Sequence, residues 1–170
     1  MSSVNAARLP QIKFTIEAMT EHDLLEVVEI EEASGLSRWG WDGYHEELAR
    51  TVETVMLVAR MRDDAANSGG GKHEQSLAGF IAARLGAGQL HINNVAVREI
   101  YRQQGIGAAL LEHALQVGSV RGVRGALLEV RAANVAAQSL YLRQGFRITG
   151  RRKNYYAAPL DDALLMSAEI

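Results

Sequence analysis

Residues 101–113 read "YRQQGIGAALLEH": the polar run Arg102, Gln103 and Gln104, then Gly105 and Gly107, then an apolar helical pattern. Glycine costs a helix about 1 kcal/mol relative to alanine, so two glycines at a helix mouth need a reason. The plainer reading is a loop that ends where a helix starts. The sharper one is a ligand that must approach the backbone more closely than a side chain would allow. Behind the glycines, Ile106, Leu110, Leu111, Ala114 and Leu115 fall on one side of a helix running from 105 to about 119, which anchors it in a core. The backbone N–H groups of residues 103–108, backed by the positive end of the helix dipole, then suit a phosphate group. Two rival phosphate-binding patterns fail. A dinucleotide fingerprint needs glycine or alanine where Leu110 stands, and in "NSGGGKH" (67–73) His73 follows Lys72 where a P-loop needs serine or threonine.

Downstream, "GALLEVR" (125–131) reads as a strand, and Asn134 to Gln144 as a helix closed by Gly145 in a left-handed cap. "GFRITGRRKNYY" (145–156) and "DALLMSAEI" (162–170) read as two further strands. Upstream, "IKFTIEA" (12–18) alternates as a half-buried strand. Thr20 caps a helix that places Leu24, Val27, Val28 and Glu31 at helical spacing. "GLSRWGWDGYHEELARTV" (35–52) is a turn and a second, short helix, and "VMLVARM" (55–61) a strand. The polar, glycine-rich 62–76 segment reads as a long hairpin loop. "LAGFIAARL" (77–85) and "QLHINNVAV" (89–97) form a hairpin around "GAG" at 86–88. Neither a repeat nor a linker interrupts this order. The expectation is one α/β domain over 12–170 behind a flexible leader at 1–11.

Bulk properties narrow the function. A chain of 170 residues, 48% hydrophobic and 22% charged, can bury one real core. A formal net charge of -2 argues against general nucleic-acid binding. No apolar run reaches the length of a membrane span, and "MSSVNAARLPQIKF" lacks the order of a signal peptide. With no cysteine there is no thiolate nucleophile, and the histidines at 22, 45, 73, 91 and 113 show no ligand spacing, so no metal is expected. A cytoplasmic protein is the expectation.

Arg102, Gly105 and Gly107 match the Arg/Gln-x-x-Gly-x-Gly/Ala signature of the GNAT N-acetyltransferases, and the chain resembles that family. Five blocks in order, "NNVAV", "YRQQGIGAALLEHAL", "RGVRGALLEVRAANVAAQSLYLRQGF", "GRRKNYY" and "DDALLM", are similar to the bacterial ribosomal-protein alanine N-acetyltransferases. The first ninety residues match only in element order and around Trp39 and Trp41. Departures are Ala133 where serine is common, Lys153 as an extra residue before "NYY", and a longer, more polar 62–76 loop. The resemblance implies the GNAT fold, a mixed and mostly antiparallel sheet flanked by helices. It also implies acetyl-CoA as cosubstrate and a protein or peptide N-terminus as acceptor, a ribosomal protein among the candidates. Neither nucleic acid nor membrane is implied as a partner, and the expected state is a monomer or weak dimer.

The same resemblance distributes roles. The backbone of Val95, Ala96 and Val97 would run beside the pantetheine arm, although a buried strand and nothing more fits those residues equally well. Arg102, Gln103, Gln104, Gly105, Ile106, Gly107 and Ala108 would hold the pyrophosphate. Asn134 would contact the pantetheine while serving as helix N-cap. Glu129 is a lone carboxylate in an apolar strand, costly there unless paired or working. It reads either as a salt-bridged strand residue, with Arg131 as the nearest partner, or as the family's general base acting through a water. Tyr141 is either a core aromatic or the general acid that protonates the leaving thiolate. Trp39, Trp41, Asn154, Tyr155 and Tyr156 would line the acceptor side. Lysine or small-amine acetylation, and a non-catalytic CoA-binding domain, remain open alternatives.

Overall fold

The computed structural model describes residues 14–62 and 76–170; the expected leader and nearly all of the 62–76 loop lie outside the described residues. In chain order the elements are β1 (Phe14–Ala18), α1 (Leu24–Ser34), α2 (Gly40–Leu48), β2 (Thr54–Met61), β3 (Leu77–Gly86), β4 (Gln89–Val97), α3 (Ile106–Val120), β5 (Gly125–Arg131), α4 (Val135–Arg143), β6 (Arg147–Ala157) and β7 (Leu160–Glu169). Local chemistry sets most of their ends. Asp23 reaches back to accept the Thr20 N–H at 2.8 Å, opening the 3-10 turn that leads into α1. Asn134 accepts the Ala137 N–H at 3.0 Å as the N-cap of α4. Ala87 (φ 49°) and Gly88 (φ 74°) both take positive φ, the geometry of the tight turn that joins β3 to β4.

The seven strands form one sheet in the order β1-β2-β3-β4-β5-β7-β6. Only β4 and β5 run parallel; every other neighbouring pair is antiparallel. One face carries α3, with Ile106, Leu110, Leu111 and Ala114 packed on Ile81, Ile92, Leu128 and Val130, and Tyr141 of α4 joins that core. The other face carries α1 and α2, whose Leu24, Val27, Ile30 and Tyr44 pack on Met56, Val58, Phe80 and Ala96. The expected single α/β domain with a mostly antiparallel sheet is the one found.

Two irregularities shape the middle of the sheet. In β4 the register steps from Ala83↔Ile92 to Ala82↔Asn94, so Asn93 is an extra residue. A one-residue bulge exchanges the faces of everything beyond it. Leu90 and Ile92 point to the α3 side, and so do Val95 and Val97, while Asn94 and Ala96 point to the α1–α2 side. At the same level the parallel ladder ends. β4 and β5 pair from Gln89↔Gly125 to Ile92↔Leu128 and no further. Beyond that point β4 follows β3 to Val97 and β5 follows β7 to Arg131, leaving a fork in the sheet.

Candidate active site

Backbone polarity in the fork follows from alternation along β4. Arg98 donates its N–H to Ala78 O at 2.8 Å, and Phe80 lies opposite Ala96. Residues 94, 96 and 98 therefore exchange bonds with β3, and the N–H and C=O of Val95 and Val97 turn into the fork. This corrects the expectation for the trio: the Ala96 backbone is committed to β3. The Val97 carbonyl is committed too, because it accepts from Arg102 Nε at 3.0 Å. Arg102 thereby ties the start of the glycine loop to the strand through its Nε. What remains open to a ligand is the Val95 backbone and the Val97 N–H.

Above the fork, no backbone N–H from Gln103 to Ala108 donates to a backbone carbonyl among the described residues, whereas Ala109 N–H bonds Gly105 O at 3.0 Å. The loop reaches this form through left-handed Gln103 (φ 61°) and Gly105 (φ 82°). The two glycines answer different needs. Gly105 has open space around it and is glycine for its φ. At Gly107 an added Cβ would stand 3.3 Å from Leu140 Cδ2 and 3.7 Å from Val97 Cγ2, so its bareness keeps α3 clear of α4 and β4. Unpaired N–H groups at the head of α3, with open strand backbone below, fit an anionic pyrophosphate carrying an extended polar arm.

Glu129 and Tyr141 lie on opposite faces of the sheet. Leu128 and Val130 lie in the α3-side core, so alternation along β5 turns Glu129 to the α1–α2 face, one step past the last paired residues. Its partner is Arg152 of β6, at 2.5 Å, and not Arg131 as the sequence suggested. Arg131 instead donates to the carbonyls of Pro159 and Ala158, and its guanidinium lies 4.1 Å from the Tyr156 ring centroid. Tyr141 is 8% exposed beside Phe146, so it is a core aromatic in position. Burial, with the nearby Tyr156, pushes its phenol up to about 12, which keeps it a proton carrier through the neutral range.

β6 brings Tyr155 and Tyr156 to the same place. The neighbouring Glu129 carboxylate raises the Tyr155 phenol, and Tyr156 is raised by burial and then by the Glu129 charge. Their placement depends on a second bulge. Arg152 pairs with Ala163 but Tyr156 with Asp161, which leaves two residues more on β6 than on β7. Asn154 takes a left-handed φ of 53° there, and its N–H bonds Asp162 Oδ1 at 2.8 Å. That bond, then Arg151, holds the Asp162 carboxyl below its ordinary range. The extra Lys153 is absorbed in this bulge. The two tryptophans separate. Trp39 packs against Tyr44 at 5.3 Å between centroids, whereas Trp41 is 42% exposed and stacked on His45.

Sequence reading missed one cluster. Glu31, only 1% exposed, accepts from Trp39 N–H (2.7 Å), Gly40 N–H (3.1 Å) and the Tyr44 hydroxyl (2.9 Å). Asn94 Nδ2 in turn donates to that hydroxyl at 2.8 Å. The signal was available, since Glu31 falls on the apolar stripe of α1 where an acid should not be free. Arg152 carried no such signal, because its partner is 23 residues away on another strand.

Comparisons with known proteins point to one family. The family model described as the acetyltransferase (GNAT) family matches residues 25–146. A Bacillus subtilis (strain 168) protein, named as a candidate ribosomal protein bS18-alanine N-acetyltransferase, is 31% identical over 154 residues, 91% of this chain and 94% of the relative. The ribosomal protein bS18-alanine N-acetyltransferase of Escherichia coli (strain K12) is 38% identical over 96 residues, 55% of this chain and 65% of that enzyme. The crystal structure of the ribosomal-protein-S18-alanine N-acetyltransferase from Escherichia coli superposes with a TM-score of 0.75 at 28% identity, covering 93% of this chain and 94% of that one. With the forked sheet and the glycine-led helix in place, the chain belongs to the GNAT family of acetyltransferases and is an enzyme whose acetyl donor is acetyl-CoA.

Proposed function

We propose that this acetyltransferase modifies the N-terminal α-amine of a protein, with Glu129 as general base and Tyr141 as general acid. The observation that carries the reading is a carboxylate on one face of the sheet, one residue past the end of the β4–β5 ladder, and a buried phenol in the core on the other face, which Val95 and Val97 also join. Similarity to enzymes named for acetylating the alanine N-terminus of ribosomal protein bS18 supports the same acceptor class.

Acetyl-CoA supplies an acetyl group activated as a thioester. The loop from Gln103 to Ala108 holds the pyrophosphate with backbone N–H groups, and Val95 and Val97 align the arm. Glu129, directly or through a water, takes the proton that the acceptor ammonium must lose before its nitrogen can attack. Tyr141 donates its phenolic proton toward the departing sulfur, and the proton released from nitrogen makes good that loss through solvent. Asn134 fixes the start of α4 and so the height of Tyr141.

A magnitude favours the α-amine over lysine. An unperturbed α-amine has a pKa of about 7.7 to 8.0 against about 10.4 for lysine, a gap worth about 3.5 kcal/mol of deprotonation at fixed pH. A single carboxylate is a modest base and suits the easier amine. The test is a panel of peptides beginning with alanine, serine, methionine or threonine, beside an N-blocked peptide with an internal lysine, with products identified by mass spectrometry. The alanine peptide should react fastest and the blocked peptide at least tenfold more slowly. Glu129→Gln should lower turnover most at neutral pH and recover partly as pH rises. Faster acetylation of the blocked lysine peptide, or of a free polyamine, overturns the acceptor assignment.

A further inference from the structure

Between α1 and α2 the chain turns through residues 35–39 with no strand to hold it, yet this turn carries Trp39 toward the face on which Glu129 lies. What holds it is the hydrogen-bonded chain from β4. Asn94 donates to the Tyr44 hydroxyl, Tyr44 donates to Glu31, and Glu31 accepts the N–H groups of Trp39 and Gly40. The Tyr44 ring is wedged between Trp39 at 5.3 Å and Phe80 at 5.5 Å. Every member is buried except the turn itself, and among the described residues no cation hydrogen-bonds the Glu31 carboxylate. A buried carboxylate held only by dipoles is tolerated where each dipole is fixed. The two backbone donors are the unsatisfied N–H groups at the head of α2, so the carboxylate also meets the positive end of that helix.

The other end of the chain is equally well placed. Asn94 follows the bulge residue Asn93, and the bulge is what turns Asn94 to the α1–α2 face. The same step of the sheet ends the β4–β5 ladder and exposes Glu129. The strand that offers Val95 and Val97 to the cosubstrate is therefore rigidly linked to the turn on the acceptor side.

We infer that Asn94, Tyr44 and Glu31 are positioning residues that set the α1–α2 turn, and with it Trp39, at the height the acceptor peptide requires above the cosubstrate strand. This rests on the reading that the turn lines the acceptor side. The chain leaves the Val95 and Val97 backbone untouched, so its loss should act on the acceptor and not on acetyl-CoA.

The test is Tyr44→Phe, which keeps the ring between Trp39 and Phe80 and removes only the hydroxyl, beside Glu31→Gln, which keeps the shape and replaces an acceptor oxygen by a donor. Steady-state kinetics with the alanine-first peptide should show its KM raised about tenfold in each variant. The KM for acetyl-CoA, and its affinity by calorimetry, should stay within twofold. An unchanged peptide KM in Tyr44→Phe overturns the inference. So does an equal loss of acetyl-CoA affinity, because that marks general loosening of the fold. Should Glu31→Gln fail to fold, Tyr44→Phe alone decides. Trp39→Ala separates the two levels. If it leaves peptide KM unchanged, the acceptor-side reading of the turn fails. If it raises KM while Tyr44→Phe does not, only the positioning role fails.

Discussion

The Glu129 carboxylate holds the Arg152 guanidinium at 2.5 Å, and on the proposed reading the acceptor ammonium must take that place. Arg152 is about half exposed and its carboxylate one-fifth exposed, so the pair is worth no more than about 1 kcal/mol. Removing the competitor should therefore have a small effect of defined sign. Arg152→Ala is expected to lower peptide KM by about two- to fivefold, with kcat within twofold, in steady-state kinetics at low salt. Added salt should narrow the difference between wild type and variant, because the exposed pair is screened. A raised KM would place Arg152 in contact with the acceptor instead.

Among the elements, α3 gathers the sharpest demands in its first turn. Its two glycines separate conformation from space, and the two should respond differently to substitution. Gly105→Ala imposes a left-handed φ on a residue with a Cβ, at a cost of about 1–2 kcal/mol. Its main signature should be a lower Tm. Gly107→Val instead fills the gap toward Leu140 and Val97, where the nearest atom is the end of a flexible leucine. The fold should survive, since the residue gains helix propensity, while acetyl-CoA affinity falls at least tenfold by calorimetry. An unchanged affinity in Gly107→Val would remove the glycine loop from the cosubstrate site.

For the whole molecule, the phenol of Tyr141 makes stability depend on high pH. Burial raises it from about 10 in the unfolded chain to about 12 in the fold. Between those values the unfolded chain has lost the proton and the native one keeps it, so stability falls as pH rises. The loss amounts to about 2–3 kcal/mol over that window. Tyr44 is raised in the same direction by burial and by Glu31, and adds to the slope. Urea denaturation at pH 10 and pH 12 should show a clearly smaller loss for Tyr141→Phe than for wild type. An identical loss would mean that Tyr141 is solvated in the native state.

What local sequence determined was whatever depends on neighbours within a few residues. Thr20, Asn134 and Gly145 mark helix ends because caps are local hydrogen bonds and local φ values. The "GAG" turn and the glycine-led helix were legible for the same reason. Glu129 stood out because a lone acid breaks an apolar strand, whereas Tyr141 was singled out only through the family resemblance. Tertiary structure alone decided the partnerships. The bulge at Asn93 exchanged the faces of β4, committing Ala96 to β3 and turning Asn94 toward Tyr44, and no periodicity in "QLHINNVAV" announces it. Arg152, not Arg131, became the counter-ion of Glu129 because β6 crosses to β5 through β7 with two extra residues, a register that only strand pairing specifies. Glu31 was visible as a misplaced acid, but its donors come from the turn and from Tyr44, which fold back over it. Spacing along the chain governs what a residue can cap; which distant donor reaches a buried carboxylate is set by how the sheet forks and where its strands slip.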